Sequence, residues 1–200
     1  MRAPRALDAL RRLGPPVVSS AEAAAALKVS VDAANKTLSR LDGDGAITRV
    51  ARGLWAVRPP LDPLLLPNHL TSPYASYVSL WTALHVHGVI EQIPAMTYVV
   101  TLGRTRRVTT AVGTFSLHHL IPELFDGWEM SASGVALASV EKALFDVAYL
   151  SSTKNRSFAA FPELELPRRM NRAAIRGWIE RVPSSRLRAV AQSRLAFIMG

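Results

Sequence analysis

Cysteine is missing from this chain of 200 residues. That excludes disulfides, thiolate chemistry and any zinc site built on cysteine. Aromatic residues are sparse, at 7%, and acidic residues are outnumbered, 15 Asp+Glu against 24 Lys+Arg. Long apolar runs are lacking too: no stretch approaches the roughly 20 residues that a membrane span needs. Asp8, Arg11 and Arg12 interrupt the segment where a signal peptide would carry its apolar stretch, so a soluble cytoplasmic protein without a membrane partner is expected. There is no glycine-rich phosphate loop, no Gly-x-Ser-x-Gly elbow and no carboxylate pair at metal-binding spacing. The chain therefore reads as a non-enzyme with no cofactor.

What is present is basic charge, and its distribution is uneven. The net charge is +9. Residues 1–60 hold ten Lys+Arg against five Asp+Glu, for +5, and residues 61–166 hold six against nine, for −3. Residues 167–200 carry eight arginines against Glu180 alone, for +7. A basic head and tail around an acidic middle fit nucleic-acid contact at the ends and another task between.

Residues 19–58 carry the strongest local pattern. Ser19 with Glu22 three positions on is a capping-box spacing, and the alanine-rich run to Leu27 propagates a helix well. Lys28 and Val29 make a short turn. Ser30 can cap a second helix whose Val31, Ala34, Leu38 and Leu41 form one apolar stripe. The run Asp42-Gly43-Asp44-Gly45 stops it. Two short β-like runs follow at 46–50 and 54–57, joined by Ala51-Arg52-Gly53 into a hairpin. The order predicts a winged helix-turn-helix.

Such a module places one helix in the major groove of double-stranded DNA. Asn35, Lys36, Ser39 and Arg40 on the exposed face, with Ser30 at the helix start, have the chemistry for bases or phosphates. Arg49, Arg52 and Arg58 on the wing can hold the backbone or enter the minor groove. The competing reading is a protein-interaction module whose charges are a solvated face.

Before this stretch, a first helix is expected over residues 5–13, ended by Gly14-Pro15-Pro16. Val17 and Val18 can add a strand to the wing sheet. After it, the prolines at 59, 60 and 63 mark a stiff connector, with Leu64, Leu65 and Leu66 packing on a second domain. That domain reads as a helix over 77–87, a strand over 97–102, a basic turn over 103–107, strands over 113–120 and 134–138, and a helix over 139–150. Residues 151–162 read as a surface loop. Basic helices are expected over 168–179 and 185–199, and Arg168, Arg169, Arg172 and Arg176 have the spacing to share a face. The expectation is thus an α+β chain: a winged helix-turn-helix at 1–60, a mixed α+β domain at 61–166 and a basic helical extension at 167–200.

Three stretches of the second domain extend the pattern. They are Ala75-Ser76-Tyr77-Val78-Ser79 with Ala83-Leu84-His85-Val86-His87-Gly88, then Phe115-Ser116-Leu117-His118-His119-Leu120, then the run Ala138-Ser139-Val140-Glu141-Lys142-Ala143-Leu144-Phe145-Asp146. With the winged helix they resemble the AbiEi-type antitoxins, regulators of abortive-infection defence systems, over roughly residues 5–155. Val140 stands where the family pattern has proline, while Glu141, Lys142 and Asp146 stay in register. The resemblance implies the antitoxin half of a two-gene operon whose partner is an AbiEii-like nucleotidyltransferase toxin. It further implies that the winged helix represses the operon at inverted repeats in its promoter and that the C-terminal domain opposes the toxin, not necessarily through a stable complex.

Glu141, Lys142 and Asp146, with Arg168, Arg169, Arg172 and Arg176, are candidates for an antitoxin or extended basic surface. The structural alternative for the first three is a helix-start glutamate and a local i,i+4 ion pair. His85 and His87 on a helix, and His118 and His119 on a strand, point apart and predict no metal site. Trp55, Trp81, Trp128 and Trp178 read as core or interface anchors. A ligand-responsive regulator without a toxin partner remains the alternative function.

Overall fold

The computed structural model describes residues 3–152 and 162–199 as a mixed α+β chain. The surface loop expected over 151–162 falls for the most part outside the described residues. The chain divides into two compact units, one running to His69 and including Thr109–Gly113, the other formed by Leu70–Val108 and Thr114–Gly200.

The first unit packs three helices on a small sheet. Helix α1 (Ala3–Arg11) buries Ala6 and Leu10. It closes two residues earlier than the leucine spacing suggested, because Gly14 takes φ +96° and leaves Leu13 at 41% exposure. Strand β1 (Val17–Ser19) leads directly into α2 (Ser20–Leu27). The capping box forms: the Ser19 hydroxyl accepts from the Glu22 N–H at 3.1 Å, and the Glu22 carboxylate accepts from the Ser19 N–H at 2.7 Å. The bond to the Ser19 N–H holds the Glu22 carboxyl below its usual pKa. Lys28, in the left-handed region at φ 55°, ends α2, a conformation that costs a non-glycine residue about 1–2 kcal/mol. Ser30 then caps α3 (Val31–Gly43) through the Ala33 N–H.

Strands β2 (Thr48–Ala51) and β3 (Leu54–Ala56) complete an antiparallel sheet in the order β1-β3-β2, with Val18 opposite Trp55 and Arg49 opposite Trp55 on the other side. Leu10, Leu27, Leu38, Leu41, Ile47 and Trp55 form the core. Leu66 is buried, and Leu64, Leu65 and Leu66 fall in the first unit, so the boundary expected near residue 60 lies at His69. A 3-10 turn at Pro63–Leu65 and the short α4 (Pro67–Thr71) span the crossing.

The second unit is built around one helix. Among the described residues its sheet has six strands, β4 (Ser76–Val78), β5 (Thr97–Thr101), β6 (Arg106–Thr110), β7 (Gly113–His119), β8 (Trp128–Met130) and β9 (Ala136–Ala138), in the order β6-β7-β5-β4-β9-β8, with the joined ends of β6 and β7 counted in the first unit. Strand β4 runs parallel to β9 and antiparallel to β5, and β5 runs parallel to β7. Between β4 and β5 lies α5 (Leu80–Val86). The helix α6 (Val140–Ser152) packs against α5, against α7 (Arg172–Arg181) and against α8 (Ser185–Met199). Every residue from Lys142 to Ser151 is buried.

Three expectations change here. The helix read over 77–87 begins only at Leu80, because Tyr77 and Val78 pair with Val100 and Val99 in the sheet and Leu80, at φ 55°, turns the chain. The ladder outweighs a helical apolar spacing. Residues 167–200 are not an extension: α7 and α8 bury Ile175, Trp178, Leu195 and Ile198 in the second unit's core. Finally, α7 starts at Arg172, so Arg168 and Arg169 precede it and only Arg172 and Arg176 share its exposed face. Among the described residues no helix is long and apolar enough to cross a membrane.

Candidate functional site

The first unit displays its polar side chains on α3 and on the β2–β3 hairpin. Lys36, Ser39 and Arg40 are exposed on α3, one turn apart, while Ala34, Leu38 and Leu41 face the core. Arg52 is exposed on the hairpin turn. Arg49 is also exposed, and its guanidinium lies 5.5 Å from the centre of the Trp55 ring. Its own N–H donates to the Asp42 carboxylate at 2.9 Å, which ties the hairpin to the end of α3.

A chain of side chains fixes α3 against the hairpin. The Trp55 indole N–H donates to the Ser20 hydroxyl at 3.1 Å, and that hydroxyl donates to the Asn35 side-chain oxygen at 2.6 Å. One buried hydroxyl thus joins β3, α2 and α3. The Ser20 N–H also donates to the Gly53 carbonyl at 2.9 Å, holding the hairpin turn on the start of α2. Helix and hairpin arginines are therefore presented on one hydrogen-bonded frame.

Three of the expected contact residues are used differently. Asn35 is half-buried and its carboxamide oxygen accepts from the Ser20 hydroxyl, which ties the side chain into the unit rather than leaving it free on the helix face. Ser30 spends its hydroxyl on the α3 cap. Arg58 lies beyond β3, where its guanidinium donates to the Arg11 carbonyl at 2.7 Å and closes the end of α1. Ser30 and Arg58 are exposed but bonded, which leaves Lys36, Ser39, Arg40, Arg49 and Arg52 as the exposed set on α3 and the hairpin.

The second unit holds the other polar cluster, and it is buried. The Lys142 ammonium donates to Asp146 Oδ1 and to the Leu124 carbonyl, both at 2.7 Å. Asp146 Oδ2 accepts from the Ser79 hydroxyl at 2.7 Å and from the Tyr77 hydroxyl at 3.0 Å. Both charged side chains have 0% exposure. Aromatic faces enclose the ammonium, with ring centres at 4.7 Å for Phe145 and 5.3 Å for Trp178. Burial raises the Asp146 pKa and lowers that of Lys142, and each partner opposes the other's shift. Burial, with the Asp146 charge, also pushes the Tyr77 hydroxyl well up, so it stays a donor.

The i,i+4 pair expected between Lys142 and Asp146 forms, but as a core element. Lys142 and Asp146 are consequently no part of any surface. Glu141, half-buried in the first turn of α6, accepts the Asn171 N–H at 2.7 Å and anchors the residue that caps α7. None of the three offers an exposed contact cluster.

Residues 125–128, Phe-Asp-Gly-Trp, carry weight the sequence did not disclose. Asp126 accepts the Trp178 indole N–H at 2.5 Å and pairs with Arg181 at 2.8 Å. Gly127, at φ +74°, lies under the Trp178 ring, where a Cβ would come within 2.5 Å. The signal was an Asp-Gly pair between two aromatics, legible as a turn but not as a docking point for α7.

The histidines are dispersed among backbone acceptors and neighbours. Nδ1 of His85 faces the Ile90 carbonyl and Nε2 of His87 the Ala138 carbonyl. His119 Nδ1 faces the Gly103 carbonyl, and the buried His118 pairs with Ser116, its pKa lowered by burial to about 4. Among the described residues no three His, Asp or Glu side chains are placed to hold a metal ion. No protein-family model matches the chain, and no curated protein does.

Proposed function

We propose that the first unit is a winged helix-turn-helix that reads double-stranded DNA, and that the chain is the autorepressing antitoxin of a toxin–antitoxin operon. The observation that carries the DNA reading is the exposed set Lys36, Ser39 and Arg40 on one face of α3, held in fixed relation to Arg49 and Arg52 by the Trp55–Ser20–Asn35 bonds. A helix of 13 residues with cations on its outer face suits the major groove, and a hairpin arginine suits the adjacent backbone. The protein acts by binding, without catalysis or cofactor, in the cytoplasm.

The antitoxin half of the proposal rests on the resemblance. Two stretches that carry it meet in the second unit: Ser76–Val78 lies beside β9, and Tyr77 and Ser79 bond Asp146. Val140, at the family's proline position, is the first residue of α6, where a proline would forfeit no helical hydrogen bond. On this reading Lys142 and Asp146 preserve the fold, and toxin antagonism falls to exposed residues such as Arg172 and Arg176. The partner is an AbiEii-like nucleotidyltransferase, opposed with or without a stable complex.

A reporter driven by the gene's own upstream region tests the proposal. Full-length protein represses it, Arg40→Ala relieves repression, and co-expression restores growth to cells carrying the neighbouring nucleotidyltransferase. Repression without any growth rescue would favour the ligand-responsive regulator.

A further inference from the structure

The basic segment at residues 103–107, expected as a turn, is a turn only to Thr105, since Arg106 opens β6, and it borders a cavity of about 320 Å3 in the second unit. Thr71, Ser72 and Tyr74 form one wall, Thr101, Gly103, Arg104 and Arg106 the other, with Leu117 at the side. No carboxylate lines it. Arg104 and Arg106 are exposed, and Tyr74 keeps 54% of its surface open although it is a large aromatic.

The walls are held from behind. The Thr71 hydroxyl donates to the Tyr74 carbonyl at 2.9 Å, and the Tyr74 N–H returns a bond to the Thr71 carbonyl. The Thr101 hydroxyl donates to the Ala75 carbonyl at 2.9 Å and accepts from the Gly103 N–H at 3.0 Å. His119 fixes the turn twice, with Nδ1 at 3.0 Å from the Gly103 carbonyl and its N–H on the Thr105 hydroxyl. Arg106 is braced by a bond from Nη2 to the Leu70 carbonyl at 2.6 Å. The Tyr74 ring rests against Gly103, where even a Cβ would stand 3.0 Å from it.

We propose that this cleft binds one nucleotide unit, its base stacked on Tyr74 and its phosphate held by Arg104 and Arg106. An open aromatic beside two guanidinium groups, without a nearby carboxylate, is the combination that single-stranded nucleic acids and nucleotides share as a target. The cavity volume lies at the small end of ligand clefts and matches one base with its sugar phosphate rather than a longer segment. The site shares no residue with α3 and does not depend on the DNA reading.

The test uses the full chain carrying Arg40→Ala, so that α3 contributes little, and the anisotropy of an end-labelled single-stranded octaribonucleotide. Tyr74→Ala and Arg104→Gln are each expected to weaken binding at least fivefold with an unchanged melting temperature, since both side chains are exposed. Competition by AMP would identify a seat for a free nucleotide; its failure, with the variants still weakened, would identify a groove for a strand. Absent binding, or binding indifferent to Tyr74→Ala and Arg104→Gln, would overturn the proposal. Displacement by inorganic phosphate with no Tyr74 effect would overturn it as well, by reducing the cleft to an anion site.

Discussion

The two units use the same residue types to opposite ends. On α3 of the first unit, Lys36 and Arg40 stand in solvent and leave the helix's stability to Ala34, Leu38 and Leu41 beneath them. On α6 of the second, Lys142 and Asp146 lie at 0% exposure, and their charge is answered by a carbonyl, two hydroxyls and each other. An exposed cation is available to a ligand and nearly neutral for folding. A buried one is costly to desolvate and holds only while every partner is present. Burial, not residue type, decides whether a charge belongs to function or to the fold.

Breaking the buried pair should give the largest effect. Asp146→Ala is expected to destabilise the protein by about 3–5 kcal/mol, because it strands the Lys142 ammonium in the core. The double substitution Lys142→Met with Asp146→Leu should recover much of that loss. Denaturant unfolding reads both, and a change below about 1 kcal/mol for Asp146→Ala would place the pair in solvent instead.

His118 gives the next effect, in pH. Its folded pKa of about 4 lies below the ordinary 6.5, so the unfolded chain binds the proton more readily between those values. Stability is complete above pH 6.5 and falls as the pH drops from 6.5 towards 4, by at most about 3 kcal/mol. His118→Asn should flatten that slope. An unchanged slope would assign the acid sensitivity to other groups.

The contrast is sharpened by a smaller change inside the first unit. Ser20→Ala removes the hydroxyl between Trp55 and Asn35 and should cost about 1–2 kcal/mol. It should also weaken DNA binding although Ser20 touches no DNA in the proposed mode, because the hairpin loses one of its ties to α3 and keeps only the Arg49–Asp42 bond. Lost stability with full affinity would mean the frame is irrelevant to recognition.

Much of the first unit was legible in the sequence because its signals are local. Ser19 with Glu22, Ser30 with its helix, and the Arg52-Gly53 turn each state their geometry within four residues. The second unit depends on pairings far apart in the chain. Tyr77 and Val78 have a helical apolar spacing but join the strands of Val99, Val100 and Leu137. Likewise, a lysine and an aspartate four apart read identically on an exposed helix and in a core. What buries them is Leu124, Tyr77, Ser79 and Trp178, from 18 to 69 positions away. The bond between Ser20 and Asn35, 15 residues apart, escapes the sequence pattern for the same reason.

The most direct measurement is the anisotropy of labelled duplex from the gene's own upstream region against a scrambled duplex, over a salt series, for the wild type and for Lys36→Ala with Arg40→Ala. The account predicts that specific binding outlasts the nonspecific signal as salt rises, and that the double variant loses about 1–3 kcal/mol of that specificity while unfolding within about 0.5 kcal/mol of wild type. Equal, steeply salt-dependent binding to both duplexes, untouched by the α3 substitutions, would contradict it.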